Sequence, residues 1–548
     1  MGSFSNISAS AHASLVASAA AAALCAPLRA AAQAPSHPPP HNVLLVVLDD
    51  VGVDLLGSYE NYYRSLGRAP GTPASTPTID ALSGESLNFA NAWTCPTCTP
   101  SRAQIMTGRH GSRTGMGAVL RRTPLGGIPN PGLSHKELLL PEVLGRGPTP
   151  YVTAAVGKWH LVDHLQLAAS AAHALGAPAG TWFDYFAGSP FNLERALSAP
   201  PGTNSYYAWR KIYATAIGPG SSPCGPGALP CEVDRLTPPL QHYATADTTD
   251  DALTLIQTLP EPWFLYVAYN SPHFPYHVTP TQLSSADCLP PPTAPTPCVA
   301  NPPQSSAELA RCMLSVVDEQ FARLLCAIDP GATTVILTAD NGTDGNAIAP
   351  PFDPARGKGS LYQGGVGVPL IVRSPLTPPA LRGTFHPALV ASTDLFATVA
   401  QLGGAAVSTP ESVSLVPYLA GTAHSAPRTR VYTEGFFPNF TPRARSSGPP
   451  QNYYGSFHNQ AVSDGRFKLL RLWDRVGATG AVTLHEEFYD LAQGGPLNPN
   501  TSPPTPTPDW FELNNLLAGG TAGLAPGALL AYTQLGAWLD ASYPSLVR

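Results

Sequence analysis

The alternation of apolar runs and polar breaks along the chain is that of an α/β protein. Asn42-Val-Leu-Leu-Val-Val-Leu-Asp-Asp50 is an uninterrupted apolar run that ends in two carboxylates and then Gly52. Such runs mark parallel strands covered on both faces. Tyr151–Val156 reads as a second strand, ending in Gly157-Lys-Trp-His160. Trp263–Tyr269 is a third, ending in Asn270-Ser-Pro-His273, and Thr334–Thr338 a fourth, ending in Ala339-Asp-Asn-Gly342. Pro141–Gly145 predicts a short helix. Residues 306–328 predict an amphipathic one, with Leu309, Met313, Val316, Val317, Phe321 and Leu324 on a helical period. Gly357-Lys-Gly359 then leads through Gly365 into a further apolar strand, Val368–Val372.

Beyond about residue 430 the runs shorten. Val431–Glu434, Ala461–Ser463, Arg466–Leu470, Val482–His485 and Glu487–Leu491 predict a small antiparallel sheet with turns between its strands. A Pro-rich loop, 493–508, and a closing helix over 526–546 follow. The expected architecture is a large, mostly parallel central sheet flanked by helices (42–430), plus a smaller C-terminal subdomain with an antiparallel sheet (431–548).

A single Asp or His after a strand is usually a cap or turn residue. Four strands that end this way point to one cleft, because ligands of open α/β sheets bind outside the carboxyl ends of the strands. Asp49, Asp50, Asp340 and Asn341 form an all-oxygen set suited to a hard cation, Ca²⁺ or Mg²⁺, rather than zinc. Neighbouring strand residues point to opposite faces, so Asp49 and Asp50 can both ligate only if the chain twists out after the strand, where Gly52 permits a turn. Lys158 and His160, two apart in an extended segment, face the same way. With Arg102, Lys158 and Lys358 opposite a divalent cation, the cleft suits a tetrahedral oxyanion, a sulfate or phosphate ester.

Arg102 belongs to Cys95-Pro-Thr-Cys-Thr-Pro-Ser-Arg-Ala-Gln-Ile-Met-Thr-Gly-Arg109, which predicts a helix from about Ser101 with Pro100 at its first position. Cys98 then lies at or just before a helix N-terminus, where free amides favour negative charge, and Arg102 lies four residues on, over the same face. A lone cysteine is most often a small buried hydrophobe. Cys95 and Cys98 also form a C-x-x-C pair, which fits a redox dithiol or half a zinc site. No second C-x-x-C completes a zinc site, and a dithiol leaves Pro100, Arg102 and the distant Asp and Lys positions unexplained.

Composition narrows the picture. The 548 residues are 43% hydrophobic and 12% charged, as in a globular protein of about two domains. A net charge of −6 argues against nucleic acid or an anionic membrane as partner. An anionic substrate must then be held by a few local cations, and Lys158 and Lys358 are two of only five lysines. Residues 1–32 resemble a secretory signal peptide, with an Ala-rich apolar stretch from 13 and Ala30-Ala31-Ala32 as cleavage site, though without Lys or Arg before that stretch. A linker, 33–41, follows. No later run is long and apolar enough to span a membrane, so secretion is expected. Among the nine cysteines, Cys224/Cys231 and Cys288/Cys298 bracket short Pro-rich segments, as disulfide-closed loops do. Cys312 and Cys326 fall about 21 Å apart on one predicted helix and cannot pair with each other.

Cys98-Thr-Pro-Ser-Arg102 followed by Met106-Thr-Gly-Arg109 resembles the signature of the type I sulfatases, within the alkaline-phosphatase-like superfamily. Gly157-Lys-Trp-His160, Ser271-Pro-His273, Thr338-Ala-Asp-Asn-Gly342 and Gly357-Lys-Gly359 resemble its other motifs in the family's order, and Phe488-Tyr-Asp-Leu491 and Asn514-Asn-Leu516 resemble its C-terminal subdomain. The resemblance spans roughly residues 42–520. It implies that a formylglycine-generating enzyme oxidises Cys98 to formylglycine, whose hydrated aldehyde attacks a sulfate ester to give a covalent sulfo-enzyme intermediate. It implies Ca²⁺, rather than Mg²⁺, on Asp49, Asp50, Asp340, Asn341 and residue 98 itself. Arg102 and Lys158 would orient and charge-stabilise the formylglycine. His160 would assist sulfate elimination, and Lys158, His273 and Lys358 would bind sulfate, with His273 as acid for the leaving group. Asn192 falls near a position where the resemblance implies a further polar contact to sulfate. Gln363 and Gly367 depart from the family, which usually has an acid and often a base there. Asn341-Gly-Thr343 is a glycosylation sequon too, but a metal ligand is inaccessible, which leaves Asn439 and Asn500 as acceptors. Two other readings remain: a phosphonate monoester or phosphodiester hydrolase using the same modified cysteine, and a secreted binding protein with Cys98 unmodified.

Overall fold

The computed structural model describes residues 41–547 apart from 68–70, 122–129, 164–181, 194–204, 216–230, 236–241, 281–304, 408, 424–427, 443–454, 477–480, 493–496, 499–504 and 507–508. The expected leader and linker, residues 1–40, lie outside the described residues. So do Cys224, Cys288, Cys298 and Asn500.

The central sheet has ten strands. They are β1 (Asn42–Leu48), β2 (Leu87–Trp93), β3 (Val152–Lys158), β4 (Tyr185–Ser189), β5 (Trp209–Thr215), β6 (Cys231–Arg235), β7 (Trp263–Ala268), β8 (Thr333–Ala339), β9 (Leu370–Arg373) and β10 (Thr384–Ala391). Their order is β10-β2-β9-β8-β1-β7-β3-β4-β5-β6. Strands β8, β1, β7, β3 and β4 pair in parallel without interruption, with Leu48 beside Ala339, Val47 beside Ala268 and Gly157 beside Ala268. Every residue of β1, β7 and β8 is buried, as strands covered by helices on both faces must be. The pairings of β9 with β2 and β8, and of β5 with β4 and β6, are antiparallel.

Helices cover the sheet. The amphipathic one, Ser306–Ala327, opens on a capping box: Ser305 Oγ accepts from the Glu308 amide at 3.3 Å, and Glu308 accepts from the Ser305 amide at 3.0 Å. Its Asp318 reaches across to accept the Thr78 and Ile79 amides at 3.0 and 2.8 Å, holding the start of helix Pro77–Gly84. Cys312 and Cys326, both on the long helix, are each disulfide-bonded.

The second sheet is antiparallel, β11 (Val431–Phe437), β12 (Phe457–Ser463), β13 (Phe467–Val476) and β14 (Ala481–Asp490) in that order. The sequence predicts two short strands where β14 is one; pairing with β13 runs in continuous register from Asp490 to Ala481 and carries the chain through His485 and Glu486. Asn515 Oδ1 accepts the Phe488 amide at 3.1 Å and Phe488 accepts the Leu516 amide at 2.8 Å, so the two C-terminal motifs hold each other. The closing helix, Pro526–Ser542, packs Leu535 and Leu539 against Phe488, Val462 and Leu469.

Candidate active site

Because β8, β1, β7 and β3 are parallel neighbours, their C-terminal ends meet at one edge of the sheet. Asp49 and Asp50 follow β1, Lys158 closes β3 with His160 beyond it, His273 follows β7, and Asp340 and Asn341 follow β8. The helix Cys98–Thr107 approaches this edge with all ten of its residues buried. It begins at Cys98 rather than near Ser101, and Pro100 is its third residue. The first four helical amides have no intrahelical partner, so a proline there loses no hydrogen bond. Cys98 thus occupies the first helical position. At the other end Gly108 takes φ 66°, and a Cβ there would lie 2.7 Å from the Phe396 ring, so only glycine closes this helix against its neighbour.

Two non-glycine residues at the site adopt the left-handed region, Asp50 at φ 64° and His160 at φ 58°. Such backbone costs of order 1–3 kcal/mol. At Asp50 it solves the alternation problem: the reversal right after β1 brings both Asp49 and Asp50 to the same edge. Asp49, Asp50 and Asp340 then offer oxygens that all lie within 4.8 Å of one another, and Cys98 Sγ, Asp49 and His273 form a second such group.

Three cations answer the carboxylates. Arg102 donates from Nε and Nη2 to Asp340 Oδ2 at 2.9 and 2.7 Å and from Nη1 to the Lys158 carbonyl at 2.8 Å. Lys158 Nζ reaches Asp49 Oδ2 at 2.5 Å, and Lys358 Nζ lies 2.6 Å from Asp50 Oδ1. Asn341 Nδ2 donates to Asp50 Oδ1 at 2.8 Å and to the Gly342 carbonyl at 2.9 Å. Asn341 Oδ1 and Asp49 Oδ1 are both buried with no hydrogen-bond partner among the described residues. A buried acceptor without a donor costs roughly 1–3 kcal/mol. Two of them beside three crowded carboxylates form an all-oxygen set that fits a divalent cation. Burial and the Asp49 charge push Asp340 up. Burial opposes ionisation of Asp49 as well, but Lys158 and His273 hold it below the usual carboxylate range.

The histidines are oriented by carbonyls, which only accept. His160 Nε2 donates to Leu120 O at 2.8 Å, leaving Nδ1 as a buried lone pair without a partner among the described residues. Burial, then the Lys158 charge, keeps this ring neutral. His273 Nδ1 donates to Phe274 O at 2.7 Å and turns Nε2 to within 4.0 Å of Asp50. Burial raises the Cys98 thiol while Lys158 and Lys358 draw it down. Asn192 lies three residues past β4, half-buried between the buried Phe191 and Leu193, and none of these contacts involves it.

The sequence model of the sulfatase family matches residues 41–405. The chain belongs to the sulfatase family. It is 28% identical to human arylsulfatase A over 90% of this chain and 87% of that protein, and 26% identical to rat arylsulfatase G over 67% and 65%. Among solved structures, a sulfatase from Pseudoalteromonas sp. superposes with a TM-score of 0.55 at 20% identity, covering 93% of this chain and 92% of that one. A Bacteroides thetaiotaomicron structure described in terms of glycosaminoglycan metabolism superposes at 0.62 and 17% identity, covering 91% and 96%. The chain is a sulfuric ester hydrolase of the arylsulfatase-like kind, and no helix among its described residues is long and apolar enough to cross a membrane.

Within this sulfatase the two cysteines of the C-x-x-C stretch are both free and buried. Cys95 faces Thr433 and Glu434 of β11, and burial and the Glu434 charge push its thiol up to about 12. Gln363 is buried, its backbone N–H donating to Glu512 Oε2 at 2.6 Å. Asn439 is not a glycosylation acceptor in this fold. It is 2% exposed, its Oδ1 accepts the Gly117 and Ala118 amides at 2.9 and 2.8 Å, and its Nδ2 donates to the Ala118 carbonyl. A glycan on Nδ2 would have to leave this buried, hydrogen-bonded position to reach solvent. Asn439 instead pins the segment beside the site, a role that no local sequence pattern announces.

Proposed function

We propose that this sulfatase hydrolyses sulfate esters by covalent catalysis at position 98, after a formylglycine-generating enzyme converts Cys98 to formylglycine. The observation that carries the reading is the place of Cys98: first in a buried helix, under the pull of Lys158 and Lys358, and within 4.8 Å of Asp49 and His273 ligand atoms. A thiol whose ionisation burial opposes makes a poor nucleophile as it stands. Asp49, Asp50, Asp340, Asn341 and residue 98 would hold Ca²⁺ in preference to Mg²⁺, a larger set of oxygens suiting the larger ion. Formylglycine and the cation, when present, supply a hydrated-aldehyde nucleophile and neutralise charge on the sulfate oxygens.

The chain's own side chains do the rest. Arg102 ties Asp340 to the end of β3 and keeps a fixed positive charge beneath position 98. Lys158 and Lys358 stabilise negative charge as it develops on the sulfuryl oxygens. His160, anchored through Nε2, offers Nδ1 as the base that takes a proton from residue 98 when sulfate leaves. His273, anchored through Nδ1, turns Nε2 toward Asp50. Burial favours its neutral ring and the Asp50 charge opposes that, so it would serve as acid for the departing alcohol in its doubly protonated form. Asn192 would add a polar contact to sulfate. We assign the chemistry to a catalytic domain of residues 42–430, completed by a subdomain of 431–548, and the route outward to a leader of residues 1–32.

Mass spectrometry of the peptide carrying residue 98, from protein made in its natural host, tests the modification: the aldehyde is expected, and an intact thiol would sink the mechanism. Paired kinetics on an aryl sulfate and a phosphodiester test the substrate. A large preference for the diester would overturn the assignment.

A further inference from the structure

A cavity of about 330 Å³ adjoins the cluster, between the helix start and the second sheet. Thr97 and Gly359, chain neighbours of Cys98 and Lys358, form one wall. Segment 117–119, with Phe437 of β11 and Phe457 of β12, forms the other. The same segment continues into Leu120, whose carbonyl anchors His160 and whose amide donates to Thr99 Oγ1 at 3.1 Å. Asn439 clamps Gly117 and Ala118 from behind. Cavity and catalytic cluster therefore share backbone segments and are fixed relative to each other.

The lining is apolar apart from a few groups. Thr97 Oγ1 and Asn459 Oδ1 are buried without a hydrogen-bond partner among the described residues. Asn130 already uses Nδ2 on the Val119 carbonyl and Oδ1 on the Asn439 amide. Arg121 is exposed at the edge and forms no ion pair among the described residues. A sugar, with hydroxyls on most carbons, would leave many of them facing Phe437, Phe457, Leu361 and Val119 unpaired, at a cost for each. An apolar cavity of about 150 Å³ takes up benzene, so the volume here suits a body of about two rings.

We propose that this cavity receives the alcohol half of the ester as an apolar ring system, and that Arg121 selects substrates carrying a second anionic group on that body. The inference rests on the sulfate-ester reading above. Arg suits the role because its planar fork binds a carboxylate or second sulfate through two parallel hydrogen bonds, and Arg121 has no ion-pair partner among the described residues that would compete for one.

Steady-state kinetics of the modified, Ca²⁺-loaded protein on 4-nitrophenyl sulfate and on a nitrophenyl sulfate bearing a ring carboxylate test this. In Arg121→Gln the ratio of kcat/KM for the carboxylate substrate over the neutral one is expected to fall about tenfold, through KM, with Arg121→Lys in between. The inhibition constant of the free carboxyphenol should rise by a similar factor in Arg121→Gln, a readout independent of turnover. An unchanged ratio overturns the role of Arg121, and a monosaccharide sulfate cleaved with higher kcat/KM than either aryl ester overturns the apolar assignment. Both leave the sulfatase reading standing. Absence of turnover on every sulfate ester by protein whose Cys98 is converted would remove both.

Discussion

Cys98 and Cys95 sit three residues apart and are equally buried, yet they face two very different polar clusters. Cys98 faces Asp49, His273, Asp340, Lys158 and Lys358, beside the point where Asp49, Asp50 and Asp340 crowd together and the acceptors Asp49 Oδ1 and Asn341 Oδ1 have no donor among the described residues. Cys95 faces Glu434, whose needs are met. Its Oε1 accepts the Ser112 amide at 2.7 Å, and its Oε2 accepts from His458 at 2.9 Å and from the Tyr432 hydroxyl at 3.0 Å. His458 is satisfied in turn, since its Nδ1 accepts the Leu546 amide at 3.0 Å. Buried polar groups are normally paired, so the difference is informative. The closed network joins β11, β12 and Leu546 to Ser112, while the open one leaves acceptors that a bound cation would satisfy.

If that contrast is right, Cys98→Ala removes the nucleophile and lowers sulfate-ester turnover by about 10⁴-fold or more, with little change in melting temperature. Cys95→Ala should leave turnover within about twofold and cost about 1 kcal/mol of stability. Equal losses of activity from the two variants would erase the distinction. Glu434→Ala probes the closed network. Removing the acceptor strands the His458 Nε2–H and the Tyr432 hydroxyl, and each buried donor left unpaired costs about 1–3 kcal/mol. Denaturant titration should register that loss while turnover per folded molecule persists. The open network predicts a third behaviour: saturating Ca²⁺, at about a hundredfold its Kd, should stabilise the chelated protein by about 2.7 kcal/mol. Differential scanning calorimetry should find that gain retained in Glu434→Ala and lost in Asp340→Asn. Loss in both would mean that the two clusters are one.

Much of the site was legible because its residues follow apolar strands, and parallel pairing brings strand ends together without further information. The four central strands fall within one or two residues of expectation, and Asp49, Asp50, Lys158, His273, Asp340 and Asn341 gather as the spacing implied. What supports them was not legible. Strand β2, Leu-Asn-Phe-Ala-Asn-Ala-Trp, breaks its apolar run with Asn88, which is buried because Ser83 and Thr384 satisfy its amide. Most of residues 161–240 and 275–305 lies outside the described residues. The walls that are described come from Val119, Phe437 and Phe457, which are brought together by tertiary packing and have no common sequence pattern. The positive φ of Asp50 and His160 was invisible for the same reason: the strain is imposed by the assembled site, against local preference.

Asp318 gives a smaller, intermediate case. It is buried like the two clusters and accepts two backbone amides, but forms no ion pair among the described residues, and burial pushes it up to about 7 from an ordinary 3.8. Between those values the folded protein keeps a proton that the unfolded chain has released. The contribution of this group to stability is therefore complete below about pH 4 and is lost as pH rises through 7. The expected slope is at most about 1.4 kcal/mol per pH unit within that window. Asp318→Asn, which has no proton to lose, should remove the slope, so the stability difference between wild type and variant should shift in the variant's favour from pH 5 to 7.5. A pH-independent difference would mean that the Thr78 and Ile79 amides alone satisfy the carboxylate. Asp318 would then belong with Glu434 among the closed networks, and the unmet needs of the catalytic cluster would stand out further.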